Sequence, residues 1–196
     1  MQQTIDDILN FWFGPLDSEG LCVPEAQKLW FSASNITDET CRSQFGPLLG
    51  QATNGDLDQW GESNTGLMAL ILLLDQMPRN VYRGTAAAFS GDGHALELVL
   101  PAIAQGLHLN MPLIHRVFLY LPLEHSEDIE LQHQCVSLFD DLAADTGLEQ
   151  MAGFRQYAVA HREVIAQFGR FPHRNAALGR DSTPDELQYM STHKGF

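Results

Sequence analysis

Leu67-Met68-Ala69-Leu70-Ile71-Leu72-Leu73-Leu74 is the longest uninterrupted apolar run in the chain. A helix that is apolar on every side has no face to give to water, so the remaining segments must wrap it. The pattern predicts a helix from Thr65 to about Gln76, ended by Met77-Pro78. At far less than the roughly 20 residues of a membrane span, the run reads as the centre of a folded core. A chain of 196 residues suffices for one domain with such a core and is short for two, so one domain over 1–196 is expected.

The other segments repeat apolar residues at helical spacing. Ile5, Ile8, Leu9, Trp12 and Phe13 share one face of a helix over Thr4–Phe13, ended by Gly14-Pro15. Pro24 opens a short helix to Phe31. Thr37 reads as the N-cap of a third, running to Thr53 with a disturbance at Gly46-Pro47. His94–Gln105 contains Pro101, which should bend it. Leu113–Leu121 leads to a turn at Pro122, and Ser126 reads as the cap of a helix to Asp145. Leu148–Phe168 carries the stripe Phe154, Tyr157, His161, Ile165 and Phe168, and Thr183-Pro184-Asp185-Glu186 is a capping box with Pro in the first turn. No segment alternates with period two for long enough to make a strand. The expected fold is all-α, with about nine helices.

Charge excludes some functions. The net charge is −14, from 25 acids against 11 Lys and Arg. Nucleic acid and anionic lipid, which need broad clusters of cations, are therefore not expected partners. Residues 1–75 hold two cations, Lys28 and Arg42, against eleven acids, whereas residues 76–196 hold nine against fourteen. The arginines are thus concentrated in a few places. Cys22, Cys41 and Cys135 are odd in number and far apart, which reads as buried thiols rather than a disulfide framework. The first residues lack a cationic region and an apolar signal core, and a cytoplasmic location is expected.

Three connections carry the concentrated charge. They are Leu74-Asp75-Gln76-Met77-Pro78-Arg79-Asn80 with Arg83-Gly84-Thr85, then Tyr120-Leu121-Pro122-Leu123-Glu124-His125-Ser126-Glu127, then Phe168-Gly169-Arg170-Phe171-Pro172-His173-Arg174-Asn175 running on to Thr183. With Leu9-Asn10-Phe11-Trp12-Phe13-Gly14 at the start, they resemble, in the same order, the motifs of the family called domain of unknown function 924. Met77 stands where that family usually has Phe. The resemblance covers nearly the whole chain. It implies a tetratricopeptide-like array of antiparallel helices and no established activity.

If the helices stack antiparallel, the charged turns can converge and gather Arg79, Arg83, Glu124, His125, Glu127, Arg170, His173, Arg174 and Arg180. Three readings then compete. In the first, Asp75, Glu124 and Glu127 neutralise the arginines in a structural network. In the second, Arg79, Arg83, Arg170, His173 and Arg174 bind an acidic group on a small molecule or peptide, because four motif arginines face three motif acids. In the third, His125 is a general acid or base oriented by Glu124 or Glu127, in an enzyme such as a hydrolase. Ser126 is a helix cap rather than a nucleophile, since no Gly-x-Ser-x-Gly elbow surrounds it. Glu130 and His133 have an i,i+3 ligand spacing without the second copy that di-iron chemistry needs. No phosphate loop, dinucleotide fingerprint or metal motif emerges, so no cofactor is expected. His108, His115 and His161 read as isolated side chains.

Overall fold

The computed structural model describes residues 1–31, 34–193 and 195, apart from the side chains of Glu25, Lys28 and Phe31. Its regular elements are helical, and among the described residues the β contribution is one isolated bridge, Leu16 to Cys22. The helices are α1 (Gln2–Phe13), α2 (Pro24–Phe31), α3 (Asn35–Thr40), α4 (Gly46–Thr53), α5 (Asn64–Ile71), α6 (Met77–Val81), α7 (Asp92–Ala104), α8 (Leu113–Glu124), α9 (Ile129–Thr146), α10 (Glu149–Phe168) and α11 (Pro184–Thr192). The all-α expectation holds. The chain divides into two compact units, one of residues 1–83 with 87–122 and the other of residues 84–86 with 123–196.

In the first unit α5 is the centre, and every residue from Leu67 to Leu74 is buried. Trp12, Phe13 and Phe118 pack edge-to-face, with ring centroids 6.0 Å apart for Trp12–Phe118 and 5.1 Å for Phe13–Phe118. Trp30 fastens α2 to α1 by donating its indole N–H to the Trp12 carbonyl at 2.9 Å.

Pro78 does not end the central helix, contrary to the expectation from sequence. A π-turn over Leu72–Gln76 precedes it, and the helix continues as α6 with Pro78 in its first turn. Gly46-Pro47 is treated the same way, by a π-turn over Cys41–Phe45. One extra residue in the turn shifts the ladder where proline cannot donate and where its ring would strike the carbonyl four residues back. For Pro78 that carbonyl belongs to Leu74. Gly91, the N-cap of α7, packs against the same oxygen so closely that a Cβ at this position would overlap it.

The second unit is built on α9 and α10, packed along each other and joined through Gly147 in the left-handed conformation at φ 63°. Arg155 on α10 pairs with Asp140 on α9. Val164, Ile165 and Phe171 form one apolar cluster in it, with Ile129, Phe168 and Tyr189 against them. Two caps and one helix end differ from the sequence reading. Ser34, not Thr37, caps α3. Asp128, not Ser126, caps α9, while the Ser126 hydroxyl accepts the Asp128 N–H at 3.1 Å. Pro122 lies inside α8, which runs on to Glu124 instead of ending at Leu121. The capping box of Thr183 and Glu186 is present.

The close approach at Gly91 gives a test with its own control. Gly91→Ala should cost on the order of 2–3 kcal/mol, as overpacking against backbone does. Gly93→Ala, at the second residue of the same helix with open space around it, should be neutral or gain up to about 1 kcal/mol. Urea midpoints of the two variants that moved equally would refute the packing argument.

Candidate functional site

Each arginine of the first unit's motif is held by carboxylates of that unit. Asp75 is fully buried, and both Arg79, at 3.2 Å, and Gln76 reach it. Arg79 also grips Asp92 with two hydrogen bonds, 3.0 and 3.2 Å, and its guanidinium lies 5.7 Å from the Phe89 ring centre. Burial alone would lower its pKa, but the charges of Asp75 and Asp92 outweigh that and raise it. Arg83 binds Asp38 at 2.9 Å, and Asn80 binds the same carboxylate at 2.9 Å. Burial of Asp38 works against its ionisation, and the hydrogen bonds from Arg83 and Asn80 more than offset that.

In the second unit two carboxylates organise the segment from Arg170 to Glu186. Glu186 sits at the third position of α11, where it accepts the Thr183 N–H at 2.7 Å. Arg170 reaches it with two bonds of 2.6 and 2.8 Å, and Asn175 adds a third donor at 3.2 Å. The Arg170 hydrogen bond is the main reason its pKa falls to about 2, against the opposing effect of burial. Glu127 takes the Phe171 N–H at 2.8 Å and two bonds from Arg180, 2.7 and 3.0 Å. Burial raises the Glu127 pKa, and the Arg180 and Phe171 hydrogen bonds bring it below its ordinary value. A cavity of about 420 Å³ opens beside the Arg170–Glu186 pair, lined also by Gln167, Phe168, Thr183 and Asp185. The two charges that pair there already satisfy each other.

Glu124, His125 and His161 make a different kind of group. Glu124 is the last residue of α8, His125 follows it, and His161 reaches in from the middle of α10. One ligand-type atom from each lies within 4.8 Å of the others, with Glu124 and His161 buried and His125 half-buried. The His161 Nδ1 stands 2.8 Å from the Tyr157 carbonyl and 3.3 Å from Glu124 Oε1. Both of those oxygens can only accept, so the ring proton sits on Nδ1 and Nε2 carries the lone pair. Burial is the largest of the effects that push the His161 pKa down to about 3, followed by His125 and, more weakly, His173 and Arg174. His161 is therefore neutral near pH 7, and its 3.3 Å contact with Glu124 is not an ion pair. Phe171 connects the rest: its ring lies 5.7 Å from His161 and 5.5 Å from His173, and the buried Arg174 guanidinium stacks 4.6 Å from its centre.

Gln132 fixes this group in place. Fully buried on α9, it donates through Nε2 to the carbonyls of Leu123, Glu124 and Ser126, at 3.4, 2.6 and 2.7 Å. Those carbonyls lie at the end of α8, where helical partners run out. Cys135, one turn further along α9, is close enough to Glu124 for the carboxylate to add to the effect of burial in raising its thiol pKa.

The structure thus places His173 and Arg174 against the Phe171 ring and Glu124 and His125 against His161 beside it, sets Arg170 and Glu127 in separate ion pairs of the same unit, and gives Arg79 and Arg83 their own acids in the first unit. His161 and Gln132 were missed from sequence. His161 lay on the apolar stripe of its helix, and its i−4 backbone bond was the one local clue. Asp38, Asp92 and Glu186, which neutralise three of the motif arginines, lie outside the three charged connections, although Glu186 was already legible as part of a capping box.

The Glu186 pair predicts an acid-sensitive contribution to stability. Its folded-state pKa lies below the ordinary carboxylate value, so the contribution is present above about pH 4.5 and is lost as pH falls through about 2. Glu186→Gln should melt several degrees below wild type at pH 7, with the gap closing between pH 4.5 and 2. A gap that stayed constant over that range would show that the ion pair contributes nothing.

No curated protein matches the chain. It is similar to the solved structure of a protein of unknown function from Agrobacterium tumefaciens, at 34% identity over 98% of this chain and 99% of that one, with a TM-score of 0.81. The model of a family described as bacterial protein of unknown function (DUF924) matches residues 8–194, and the chain belongs to that family.

Proposed function

We propose that this chain is a ligand-binding protein of the cytoplasm, and that it takes an acidic small molecule or peptide group at His125, His173 and Arg174 in the second unit. The observation that carries the reading is the arrangement around Phe171: His161, His173 and the buried Arg174 lie against its ring, and His125 and the buried Glu124 lie against His161. Ionisable groups concentrated in this way are a feature of functional sites. Arg79, Arg83 and Arg170 hold the fold through carboxylates of their own units. Cytoplasmic residence is supported by three buried thiols, none joined in a disulfide. No helix among the described residues is long and apolar enough to cross a membrane. The α9–α10 pair supports the tetratricopeptide-like array that the family resemblance implies.

A second reading is favoured by the 3.3 Å contact between Glu124 and His161. A neutral imidazole with its tautomer fixed is the form that accepts a proton, so the pair can serve an enzyme as general base. Here His161, rather than Glu127, joins Glu124 and His125, since Glu127 is engaged by Arg180 and Phe171.

Thermal melts in phosphate and in succinate test the binding reading. A ligand of the folded state stabilises it by about 2.7 kcal/mol at a hundredfold excess over its Kd. Wild type and Arg83→Gln should rise with anion concentration, whereas Arg174→Gln and His173→Gln should rise much less. An equal response from all four proteins, or from none, overturns the assignment.

A further inference from the structure

We propose that Glu124, His125 and His161 form a binding site for one divalent transition-metal ion. Two imidazoles and one carboxylate are a donor set suited to zinc and its neighbours, and three protein ligands leave a coordination position open. The geometry is near what such an ion needs. With Zn–N bonds of about 2.0–2.1 Å and near-tetrahedral angles, two ligating imidazoles have ring centres roughly 5–6 Å apart. The His125 and His161 rings are 6.0 Å apart and tilted by 58°. The same bond lengths place ligand atoms roughly 3.4 Å from one another, against an observed spread of up to 4.8 Å. The set therefore has to contract by about 1 Å, and His125, half-buried on the turn after α8, is the member with room to do so.

The surroundings are those of a supported ligand set. Donation of the His161 Nδ1 proton to the Tyr157 carbonyl fixes the ring and aims its lone-pair nitrogen, which is the outer-shell arrangement that metal-bound histidines use. Phe171 packs edge-on against the same ring and limits its rotation. Gln132 fixes the backbone that carries Glu124 and His125 by holding the carbonyls of Leu123, Glu124 and Ser126. Oε1 of Gln132 is itself buried and has no hydrogen-bond partner among the described residues. The inference deepens the binding reading and rests on it for its purpose. An ion held here offers its open position to a carboxylate or phosphate, with His173 and Arg174 beside it.

The test uses the full chain, free of any affinity tag and stripped with chelator, titrated with zinc chloride and with cobalt chloride. One zinc ion per chain should bind, and cobalt should give the visible absorption of a four-coordinate nitrogen and oxygen site. Glu124→Gln and His125→Gln should each weaken zinc at least tenfold. His161→Gln should abolish binding, but it changes a buried side chain, so the half-buried His125 carries the decision. Glu130→Gln with His133→Gln, exposed on α9, should leave zinc affinity unchanged. Zinc that fails to bind, or that binds equally well to His125→Gln, overturns the proposal. Repeating the phosphate melts on metal-free protein separates the two ideas: stabilisation there without zinc binding removes the metal site and keeps the anion site.

Discussion

A carboxylate withdrawn from water must be given cations and N–H groups in its place, and this requirement sets the local structure at each charged connection of the chain. Asp75, Glu124 and Glu186 are all at least nine-tenths buried. A lone charge in such a position costs several kcal/mol and is tolerated only where donors converge on it. Around Asp75 the donors are Arg79 and Gln76, so the end of the central helix is fixed. Around Glu186 they are Arg170, Asn175 and the Thr183 N–H, which fold the segment from Arg170 to Thr183 back onto the start of α11. Glu127, only partly buried, does the same for Phe171 and Arg180. A segment rich in arginine, glycine and proline thus becomes ordered because two acids contact it at both ends.

Prolines impose the second constraint. Pro47 and Pro78 lie within continuous helical stretches, and each is preceded by a π-turn. Around Pro78 this keeps the helix of Leu67 to Leu74 continuous with the turn that bears Arg79 and Asn80. The buried apolar run and the first charged motif are therefore parts of one rigid element. Gly91 brings α7 against the Leu74 carbonyl, and Asp92, the next residue, meets Arg79. Packing and charge pairing act here through the same few residues.

Much of the fold was legible because it depends on local signals. Helical periodicity located α1, α5, α9 and α10, and the capping box located α11. Boundaries failed where two signals competed: a proline that reads as a stop proved tolerable inside Met77–Val81 and Leu113–Glu124, and a serine that reads as a cap yielded to Asp128 two residues later. The site was legible only in part. Glu124, His125, His173 and Arg174 stood out by composition. Their neighbours His161 and Gln132 did not, since a histidine or glutamine inside an amphipathic helix carries no mark of what faces it across the unit. The sequence count of four motif arginines against three motif acids also misled, because Asp38, Asp92 and Glu186 enter as partners from 45, 13 and 16 residues away.

Once those partners are counted, charge balance alone no longer separates a structural network from a binding site. In the second unit Arg170, Arg174 and Arg180 stand against Glu124, Glu127 and Glu186, three of each. The histidines are what a charge count leaves out. Neutral His161 contributes no charge, and burial makes its protonation unfavourable. What neutral imidazoles offer beside a buried carboxylate is a lone pair: a place for a proton in transit, or for a metal ion. His125 and His161 thus serve an acid–base reading and a metal reading alike, and coordination geometry, rather than net charge, is the quantity that separates the two.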